Sequence, residues 1–233
     1  MFNMIILIGA SSAIGKELLP HLLELGQVVG TTRKVENLDE FLGHENFDCI
    51  ELDLTIPDSV DDFCKKCTSF SGRITIINLS SISIDKLFLG YSEEEWQSVF
   101  SVNLSGGMKI LQAIIPQMMK SGWGRIINVS SVVAQSSVVG AAAYSASKAA
   151  VIAMTRTLAH EYGRFGITAN SLVLGYFNTG LIHSLDEKRR KAVLDRIPTQ
   201  KFGPCEDIFY AIEYVIRSNY LNGSEITIDG GLM

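Results

Sequence analysis

The strongest constraint on the fold of this chain is the regular alternation of short apolar runs with longer amphipathic segments. The apolar runs include MIILIG, QVVGT, FDCIEL and RITIIN, and helical patterns such as KELLPHLLELG and PDSVDDFCKKCTSF separate them. Strands separated by helices predict βαβ units with parallel strands and right-handed crossovers. We therefore predict an α/β fold, a Rossmann-type doubly wound parallel sheet with helices on both faces.

The second half of the chain continues this alternation. It carries helical patterns over residues 93–101, 105–120, 144–164, 186–196 and 206–217, and strand patterns at RIINVSS, ITANSLVL and EITID. No linker rich in Pro, Gly or Ser interrupts it, and 233 residues suit one large domain, so we predict a single domain over 1–233. In such sheets ligands bind at the carboxyl ends of the strands, near the topological switch point.

Composition excludes several classes of function. A chain that is 47% hydrophobic and 19% charged, with a net charge of −5, is typical of a soluble globular protein without a nucleic-acid-binding surface. The first apolar run has no charged leader or cleavage site, and no segment approaches the roughly 18 apolar residues of a membrane span. We expect a cytoplasmic protein without a membrane contact.

The four cysteines, without a secretory signal, indicate reduced thiols rather than a disulfide framework. Cys64 and Cys67 form a C-x-x-C, but they fall on a predicted helix and no second Cys/His pair follows nearby. We interpret them as two helix cysteines and predict no metal site.

The turn GASSAIG joins the first strand to the first helix. Gly9 permits a tight turn, Gly15 permits close packing of helix on strand, and the amides at the helix N-terminus face an anion. Ser11 and Ser12 add hydroxyl donors. This pattern predicts a dinucleotide phosphate site, with a plain structural turn as the alternative.

The ends of the second and third strands suggest which dinucleotide binds. The second strand ends at TTRK without an acidic residue, so Arg33 and Lys34 suit the 2′-phosphate of NADP, unless they are simply a solvated basic pair. Asp53 follows the third strand and either accepts from the adenine amino group or caps the following turn.

A second group of candidate residues comprises Ser131, Tyr144 and Lys148. Tyr144 and Lys148 are spaced i, i+4 and share one helix face. A phenol has a pKa near 10, and a neighbouring ammonium lowers that pKa, so the pair suits proton transfer. Ser131, at a strand end, is placed to hydrogen-bond a carbonyl oxygen. An isolated Y-x-x-x-K is otherwise a half-buried tyrosine beside a snorkelling lysine.

Taken in order along the chain, these motifs are those of a known family. The segments that carry the likeness are GASSAIG, SEEEWQSVFSVNL, QMMKSGWGRIINVSS, YSASKAA, EYGRFGITAN, RIPTQKFGPCEDI and NGSEITIDGG. The chain resembles the short-chain dehydrogenases/reductases, and among them the 3-oxoacyl-[acyl-carrier-protein] reductases. The resemblance implies a seven-stranded sheet, an assembly as homotetramer or homodimer, and a substrate lid over 176–196.

The resemblance also implies roles for individual residues. The catalytic tetrad maps to Asn103, Ser131, Tyr144 and Lys148. Tyr144 gives a proton to the carbonyl oxygen, Ser131 orients the substrate, Lys148 holds the nicotinamide ribose and lowers the pKa of Tyr144, and Asn103 positions a proton-relay water. The implied cofactor is NADP(H) in preference to NAD(H), held by Gly9, Ser11, Ser12, Ala13, Ile14, Gly15, Arg33, Asp53, Leu54, Asn78, Tyr144, Lys148, Gly175 and Thr179.

Four departures from the family pattern lie on the cofactor side. Ala13 replaces the middle glycine of the turn, Ile8 replaces a threonine, Leu79-Ser80-Ser81 replaces Asn-Ala-Gly, and Leu174 replaces a proline. Ala13 should lie in the first helical turn, where alanine is unstrained. The tetrad is intact.

The favoured function is NADPH-dependent reduction of a 3-oxoacyl thioester. The alternatives are the same chemistry on a small ketone, a polyketide intermediate or an imine, and a catalytically silent nucleotide-binding scaffold or sensor. An acyl carrier protein is a candidate partner, with Lys120, Arg125 and Arg164 as the cations expected near the pocket. For Arg125 a simple cation at the start of a strand is the equal alternative. Subunit contacts are expected from surplus apolar residues on the two long helices, which are Ile110, Leu111, Ile114, Ile115, Val151, Met154 and Leu158.

Overall fold

The computed structural model of the chain describes residues 3–183 and 185–233. Its strands are β1 (Asn3–Ile8), β2 (Gln27–Thr32), β3 (Phe47–Glu51), β4 (Arg73–Asn78), β5 (Gly124–Ser131), β6 (Ile167–Leu174) and β7 (Glu225–Ile228). They form one seven-stranded sheet in the order β3-β2-β1-β4-β5-β6-β7. All neighbouring strands are parallel. The predicted doubly wound parallel sheet is confirmed, and its strand order reverses between β1 and β4.

The helices lie between the strands, as the alternation of the sequence predicts. They are α1 (Ala13–Leu25), α2 (Pro57–Cys67), α3 (Glu93–Phe100), α4 (Gly106–Ser121), α5 (Ala142–Tyr162), α6 (Gly180–His183), α7 (Glu187–Leu194) and α8 (Cys205–Arg217). One difference concerns the middle of the chain. A π-helical turn at Ser101–Ser105 joins α3 to α4 without a break, where the sequence predicts two separate helices.

The two faces of the sheet are covered by different helices. On one face Leu18 and Leu22 of α1 pack with Ile208 and Ile212 of α8. On the other face the core is built from α2 and α4, with Phe63, Ile110 and Ile114 among its members. Because the strands are buried on both faces, they read as continuous apolar runs rather than as alternating patterns.

The continuous helical stretch Glu93–Ser121 is long and apolar enough to cross a membrane by length and composition alone. Half of its most apolar window is buried inside the fold, however, and Ile110, Ile114 and Met118 are fully enclosed. We therefore interpret this stretch as a core element of the sheet packing.

The expected subunit-contact residues are mostly buried within the single chain, so that expectation is corrected. Ile110, Leu111, Ile114, Ile115 and Val151 are at most 5% exposed. The reason is that α4 contacts α2 as well as the sheet, so more than one of its faces is covered by the chain itself. These five residues consequently offer almost no apolar surface to a second copy, whereas Met154 and Leu158 on α5 are half-buried.

The three cations expected near the pocket are also placed differently from the expectation. Lys120 ends α4, Arg125 begins β5 and Arg164 precedes β6, so all three lie at the edge where strands begin. The predicted ligand edge is the opposite one, where strands end. Within one chain they cannot guide a carrier protein to that edge.

Arg125 is in addition only 2% exposed. Its Nε donates to the Ile216 carbonyl at 3.2 Å and its Nη2 donates to Asn219 Oδ1 at 2.7 Å. The guanidinium stacks 4.4 Å from the centre of the Trp123 ring. Burial, helped by the neighbouring charge of Arg73, lowers the pKa of Arg125 to about 10. Arg125 is therefore a structural cation that ties the start of β5 to the end of α8.

The edge strand β7 is held by a buried asparagine on its neighbour β6. Asn170 is fully buried; its Nδ2 donates to the Leu221 carbonyl at 3.0 Å, and its Oδ1 accepts from the Ser224 amide at 3.0 Å. The side chain thus pairs two backbone groups of the loop that leads into β7.

We predict that Asn170→Ala lowers the free energy of unfolding by about 2 kcal/mol, because it leaves two partly buried backbone groups without partners and a cavity beneath them. The melting temperature should fall by roughly 5 °C. Thermal and urea unfolding would measure both quantities. Asn37→Ala is the matched control, since Asn37 is exposed and makes only a 3.4 Å contact with Thr32 Oγ1. Equal stability of the two variants would contradict the role of Asn170.

Candidate active site

The carboxyl ends of β1 to β4 enclose a cavity of about 230 Å³. It lies beside the switch point of the sheet, where open α/β sheets bind their ligands. The lining residues are Ile8, Gly9, Ser11, Ser12, Thr31, Thr32, Arg33, Leu52, Asp53, Leu54, Thr55, Leu79, Ser80, Ser81, Ile82 and Val102. The cavity therefore joins the turn after β1 to the segment after β4.

The turn after β1 is fixed by its own hydrogen bonds. Gly9 has a φ of +81°, a conformation that favours glycine, and its amide donates to Thr31 Oγ1 on β2 at 3.1 Å. Ser12 is the N-cap of α1, and its Oγ accepts from the Gly15 amide at 3.0 Å. Ser11 Oγ lies 2.9 Å from Thr32 Oγ1. The turn is tied to both β2 and α1.

Gly15 and Ala13 occupy very different environments. A Cβ on Gly15 would lie 2.5 Å from the Ala10 carbonyl oxygen and 2.6 Å from that of Gly9, so this position has no room for a side chain. Ala13 is the exposed first residue of α1, as the sequence predicts. The amides of Ala13 and Ile14 belong to the first helical turn and have no intrahelical acceptor. They are available to an anion.

A cation after β2 and a carboxylate after β3 also line the cavity. Arg33, directly after β2, is exposed and lines it. Asp53 follows β3, and its Oδ1 accepts from the Thr55 amide at 2.9 Å, which is the turn-capping role that the sequence left open. Asp53 also lines the cavity, and so does Leu54.

Lys148 lies deep in the fold, on α5. It is 2% exposed, and its Nζ donates to the carbonyl oxygens of Val129 at 2.9 Å and Ser80 at 3.3 Å. Loss of hydration lowers the pKa of Lys148 to about 8. Its ammonium links the end of β5 to the segment after β4.

The pKa of Tyr144 moves in the opposite direction from the one expected. Burial raises the pKa of this phenol, while the hydroxyls of Ser81 and Ser131 lower it as hydrogen-bond partners to a smaller extent. Lys148 Nζ lies 5.9 Å from the centre of the Tyr144 ring. The expected lowering by Lys148 is therefore corrected for this structure, since desolvation outweighs the other influences.

Asn103 is placed by the π-helical turn that the sequence did not predict. It is 1% exposed; its Oδ1 accepts from the Ile82 amide at 2.8 Å, and its Nδ2 donates to the Ile82 carbonyl at 3.0 Å. Nδ2 also donates to Ser147 Oγ at 2.9 Å, and that hydroxyl donates to the Tyr144 carbonyl. Asn103 thus connects the segment after β4 to the helix that carries Tyr144.

Some of the predicted cofactor residues do not line the cavity. Asn78 lies below it, and its Oδ1 accepts from the Ser80 amide at 3.1 Å. Gly175 packs on Asp229 at the end of β6, where its amide donates to the Ile228 carbonyl at 2.9 Å. Thr179 lies further along, and its amide donates to the Phe177 carbonyl. The cavity therefore represents only the β1–β4 side of the predicted site.

Several residues at this edge were not predicted as site residues, and two of them affect predicted ones. Thr31 supplies the hydroxyl that holds the Gly9 amide, and the Ser81 hydroxyl lowers the pKa of Tyr144. A threonine inside a strand carries no specific signal in a single sequence. Ser81 could be noticed only as a departure from the family pattern.

The donor set fits a nicotinamide dinucleotide. Because Gly15 has no side chain, α1 packs closely against the turn that precedes it. The first amides of α1 are free to bind an anion, and the exposed Arg33 supplies a positive charge for a phosphate. At the other end of the same edge, a phenol, a serine hydroxyl and a buried amine meet. This arrangement can place a carbonyl group next to a proton donor. Within the described ranges, no group of three His, Cys, Asp or Glu residues could hold a metal ion.

Comparison with known proteins agrees with this geometry. A family model described as short chain dehydrogenase matches residues 3–190. The 3-oxoacyl-[acyl-carrier-protein] reductase of Thermotoga maritima is 36% identical over 234 residues, 97% of this chain and 95% of that protein. The enzyme of the same name from Vibrio cholerae is 32% identical over 231 residues, covering 96% and 94%.

Solved structures give the same result. The chain superposes with a TM-score of 0.91 and 25% identity on an NAD(P)-dependent gluconate 5-dehydrogenase, so described, from Beutenbergia cavernae. The match covers 99% of this chain and 96% of that one, which holds NADP at low occupancy. A short-chain alcohol dehydrogenase, so described, from Sinorhizobium meliloti gives a TM-score of 0.89 and 26% identity, over 99% and 96%.

We predict that Gly15→Ala weakens binding of NADPH by at least about tenfold, because its Cβ would force the first turn of α1 away from the Gly9 and Ala10 carbonyls. Ala13→Gly is the matched variant and should leave the affinity within about threefold, because residue 13 already accepts a methyl group without contact strain. Fluorescence titration with NADPH would measure both. A large gain in affinity for Ala13→Gly would show that the missing glycine matters.

Proposed function

The chain belongs to the short-chain dehydrogenase/reductase family and is an NAD(P)-dependent oxidoreductase, and on this premise we propose that it reduces a carbonyl group with NADPH. The observation that carries the proposal is the arrangement at one sheet edge. The turn after β1, with its free helix N-terminal amides, lies there together with Ser131, Tyr144 and the buried Lys148. The same edge thus offers an anion site and a proton donor.

The nicotinamide, when bound, supplies a hydride to the carbonyl carbon, and the protein provides placement and the proton. Tyr144 gives its phenolic proton to the carbonyl oxygen, and Ser131 donates a hydrogen bond that holds this oxygen in place. Because burial raises the pKa of Tyr144, the phenol is protonated at neutral pH, as reduction requires. Lys148, with a pKa of about 8, returns a proton to Tyr144, and Asn103 fixes the backbone of Ile82 in the segment after β4.

Cofactor binding is assigned to the turn and the two following strand ends. The amides of Ala13 and Ile14 and the hydroxyls of Ser11 and Ser12 receive the phosphates. Arg33 pairs with the 2′-phosphate and so favours NADP(H) over NAD(H). Asn78, Gly175 and Thr179 belong to the rest of the binding surface, which extends toward the nicotinamide beyond the β1–β4 cavity.

The proposed substrate is a 3-oxoacyl thioester, supported by the names of relatives that align over almost the whole chain. The same residues would serve a small ketone, a polyketide intermediate or an imine. A silent scaffold is disfavoured, because it would not need the intact Ser131, Tyr144 and Lys148. A carrier protein as donor of the thioester remains a prediction from the family resemblance alone, since the candidate cations lie at the other sheet edge.

The remaining proposals concern organisation. We place the substrate lid at 176–196, which follows β6 and includes α6 and α7; Ser184 lies outside the described residues. The single domain over 1–233, the homotetramer or homodimer and the cytoplasmic location likewise stay predictions. Light scattering of the purified protein tests the assembly.

Replacing Tyr144 tests the chemistry directly. Tyr144→Phe should lower kcat for reduction of an acetoacetyl thioester by at least about a hundredfold, because it removes the general acid. The affinity for NADPH should change little, and loss of NADPH absorbance reports the rate. Tyr210→Phe, at an exposed position on α8, is the control. If Tyr144→Phe reduces the substrate at the wild-type rate, the proposed mechanism is wrong.

Replacing Arg33 tests the choice of cofactor. Arg33→Ala should raise the dissociation constant of NADPH by about tenfold or more, because a charge-assisted hydrogen bond to phosphate is lost, and should leave NADH binding nearly unchanged. Lys66→Ala, an exposed cation near the end of α2, controls for net charge. An equal loss for both cofactors would refute the phosphate role of Arg33.

A further inference from the structure

A second cavity lies at the edge of the sheet where the strands begin, opposite the candidate active site. Its volume is about 390 Å³, and it lies between the starts of β1, β4 and β5 and the last turns of α1 and α8. Small-molecule sites in proteins have volumes of about 300–1,000 Å³, so the cavity is large enough for a ligand. Its lining shares no residue with that of the first cavity.

Arg73, the first residue of β4, lines this cavity without a negative partner. It is half-buried, and its guanidinium stacks 4.3 Å from the centre of the Trp123 ring. Arg125 stacks on the same ring, so a second positive charge lies nearby. In the part of the chain that the structure describes, Arg73 forms no ion pair. Cations that are withdrawn from water normally pair with an acid, so Arg73 has an unfilled place for an anion.

Two further polar groups of the cavity are free to donate a hydrogen bond. Thr75 is only 2% exposed, and its hydroxyl forms no hydrogen bond with another residue of the described ranges. Asn219 uses its Oδ1 to accept from Arg125 Nη2 at 2.7 Å, which leaves its Nδ2 without an acceptor among the same residues. A buried hydroxyl without a partner is costly. The cavity therefore suits a ligand that accepts hydrogen bonds.

The acidic residues at the cavity do not neutralise Arg73. Glu213 is engaged by Arg217, whose Nε and Nη2 donate to its Oε1 at 3.0 and 2.7 Å. Glu24 is exposed, and over residues 3–183 and 185–233 it forms no ion pair. Three guanidiniums, including that of Arg125 behind the Trp ring, thus face two carboxylates. The cavity keeps a net positive charge.

We propose that this cavity binds a small organic oxyanion, a phosphate or carboxylate group carried on an apolar body. Arg73 pairs with two oxygens of the ligand through its forked N–H groups, and Thr75 and Asn219 donate to the same group. The apolar body lies against Trp123 and Leu25. Because the site is at the edge opposite the candidate active site, the ligand does not compete with a cofactor, and the inference does not depend on the proposed reaction.

The test uses phenyl phosphate as the probe and the fluorescence of Trp123 as the signal. Trp96 is the other tryptophan of the chain, so Trp96→Phe leaves Trp123 as the only one. At constant ionic strength, phenyl phosphate should change this fluorescence saturably and raise the melting temperature. Benzoate provides the same test for a carboxylate, and benzyl alcohol, which is uncharged, should have no effect. The absence of a response to both anions, or an equal response to benzyl alcohol, would overturn the inference.

Further substitutions assign the binding to the cavity. Arg73→Gln should raise the dissociation constant of phenyl phosphate or benzoate by about tenfold or more, and Thr75→Val, which keeps the shape of the side chain, by about fivefold. Glu24→Gln removes a competing negative charge and should tighten binding. Arg33→Ala is the matched control, because Arg33 lines the first cavity at the other edge, and it should leave the response unchanged. A response that is lost in Arg33→Ala and kept in Arg73→Gln would overturn the inference.

The stability of the ligand-free protein distinguishes a binding arginine from a structural one. The carboxyl ends of α1 and α8 flank the cavity, and such helix ends stabilise cations. If Arg73 has only that role, Arg73→Gln lowers the melting temperature and leaves anion binding unchanged, which would overturn the inference. We expect the reverse. The melting temperature should stay the same or rise, because repulsion from Arg125 is removed, and anion binding should be lost.

Discussion

The parallel pairing of β1, β4 and β5 is the constraint on which the candidate site depends. Ile8 at the end of β1 pairs with Asn78 at the end of β4, and Asn78 in turn pairs with Asn128 on β5. This register places the turn after β1, the Ser80–Ile82 segment and Ser131 at one edge. Antiparallel pairing would send alternate strand ends to opposite edges, and residues far apart in sequence would not meet there.

Buried polar groups then hold this edge together. Lys148 and Asn103 both act on the segment after β4, one through the Ser80 carbonyl and the other through both backbone groups of Ile82. Each is nearly inaccessible to solvent, and each is paired with neutral backbone atoms. In an interior of low dielectric such bonds are strong and their loss is costly, so the segment has a single well-defined position.

Features of the fold and the site that depend on periodicity and local spacing could be predicted from the sequence. The alternation of strands and helices predicted the sheet, and the demands on Gly9 and Gly15 agree with the structure of the turn. Features that depend on how the elements pack in three dimensions could not be predicted in this way. The π-helical turn at Ser101–Ser105 was missed because the flanking patterns look like two helices. The apolar residues of α4 were assigned to a subunit contact because a single sequence does not show how many neighbours a helix has.

The electrostatic expectations failed for a related reason. The i, i+4 spacing of Tyr144 and Lys148 is visible in the sequence, but the extent to which each is desolvated is not. Burial raises the pKa of the phenol and lowers that of the amine to about 8, so the two values, which are nearly equal for the free groups, move apart. Arg125 was expected near the pocket, but it lies at the start of β5, where its guanidinium is enclosed by carbonyls and Trp123.

The hydrogen bond from the Gly9 amide to Thr31 Oγ1 has a consequence for ligand affinity. Together with the Ser12 cap, it orders the turn without any contribution from a ligand. The amides of Ala13 and Ile14 are thus preorganised, and the phosphate of the proposed cofactor would meet them in place rather than having to immobilise a mobile loop. Binding of the proposed cofactor would therefore avoid a conformational-entropy penalty, which compensates for the absence of the middle glycine.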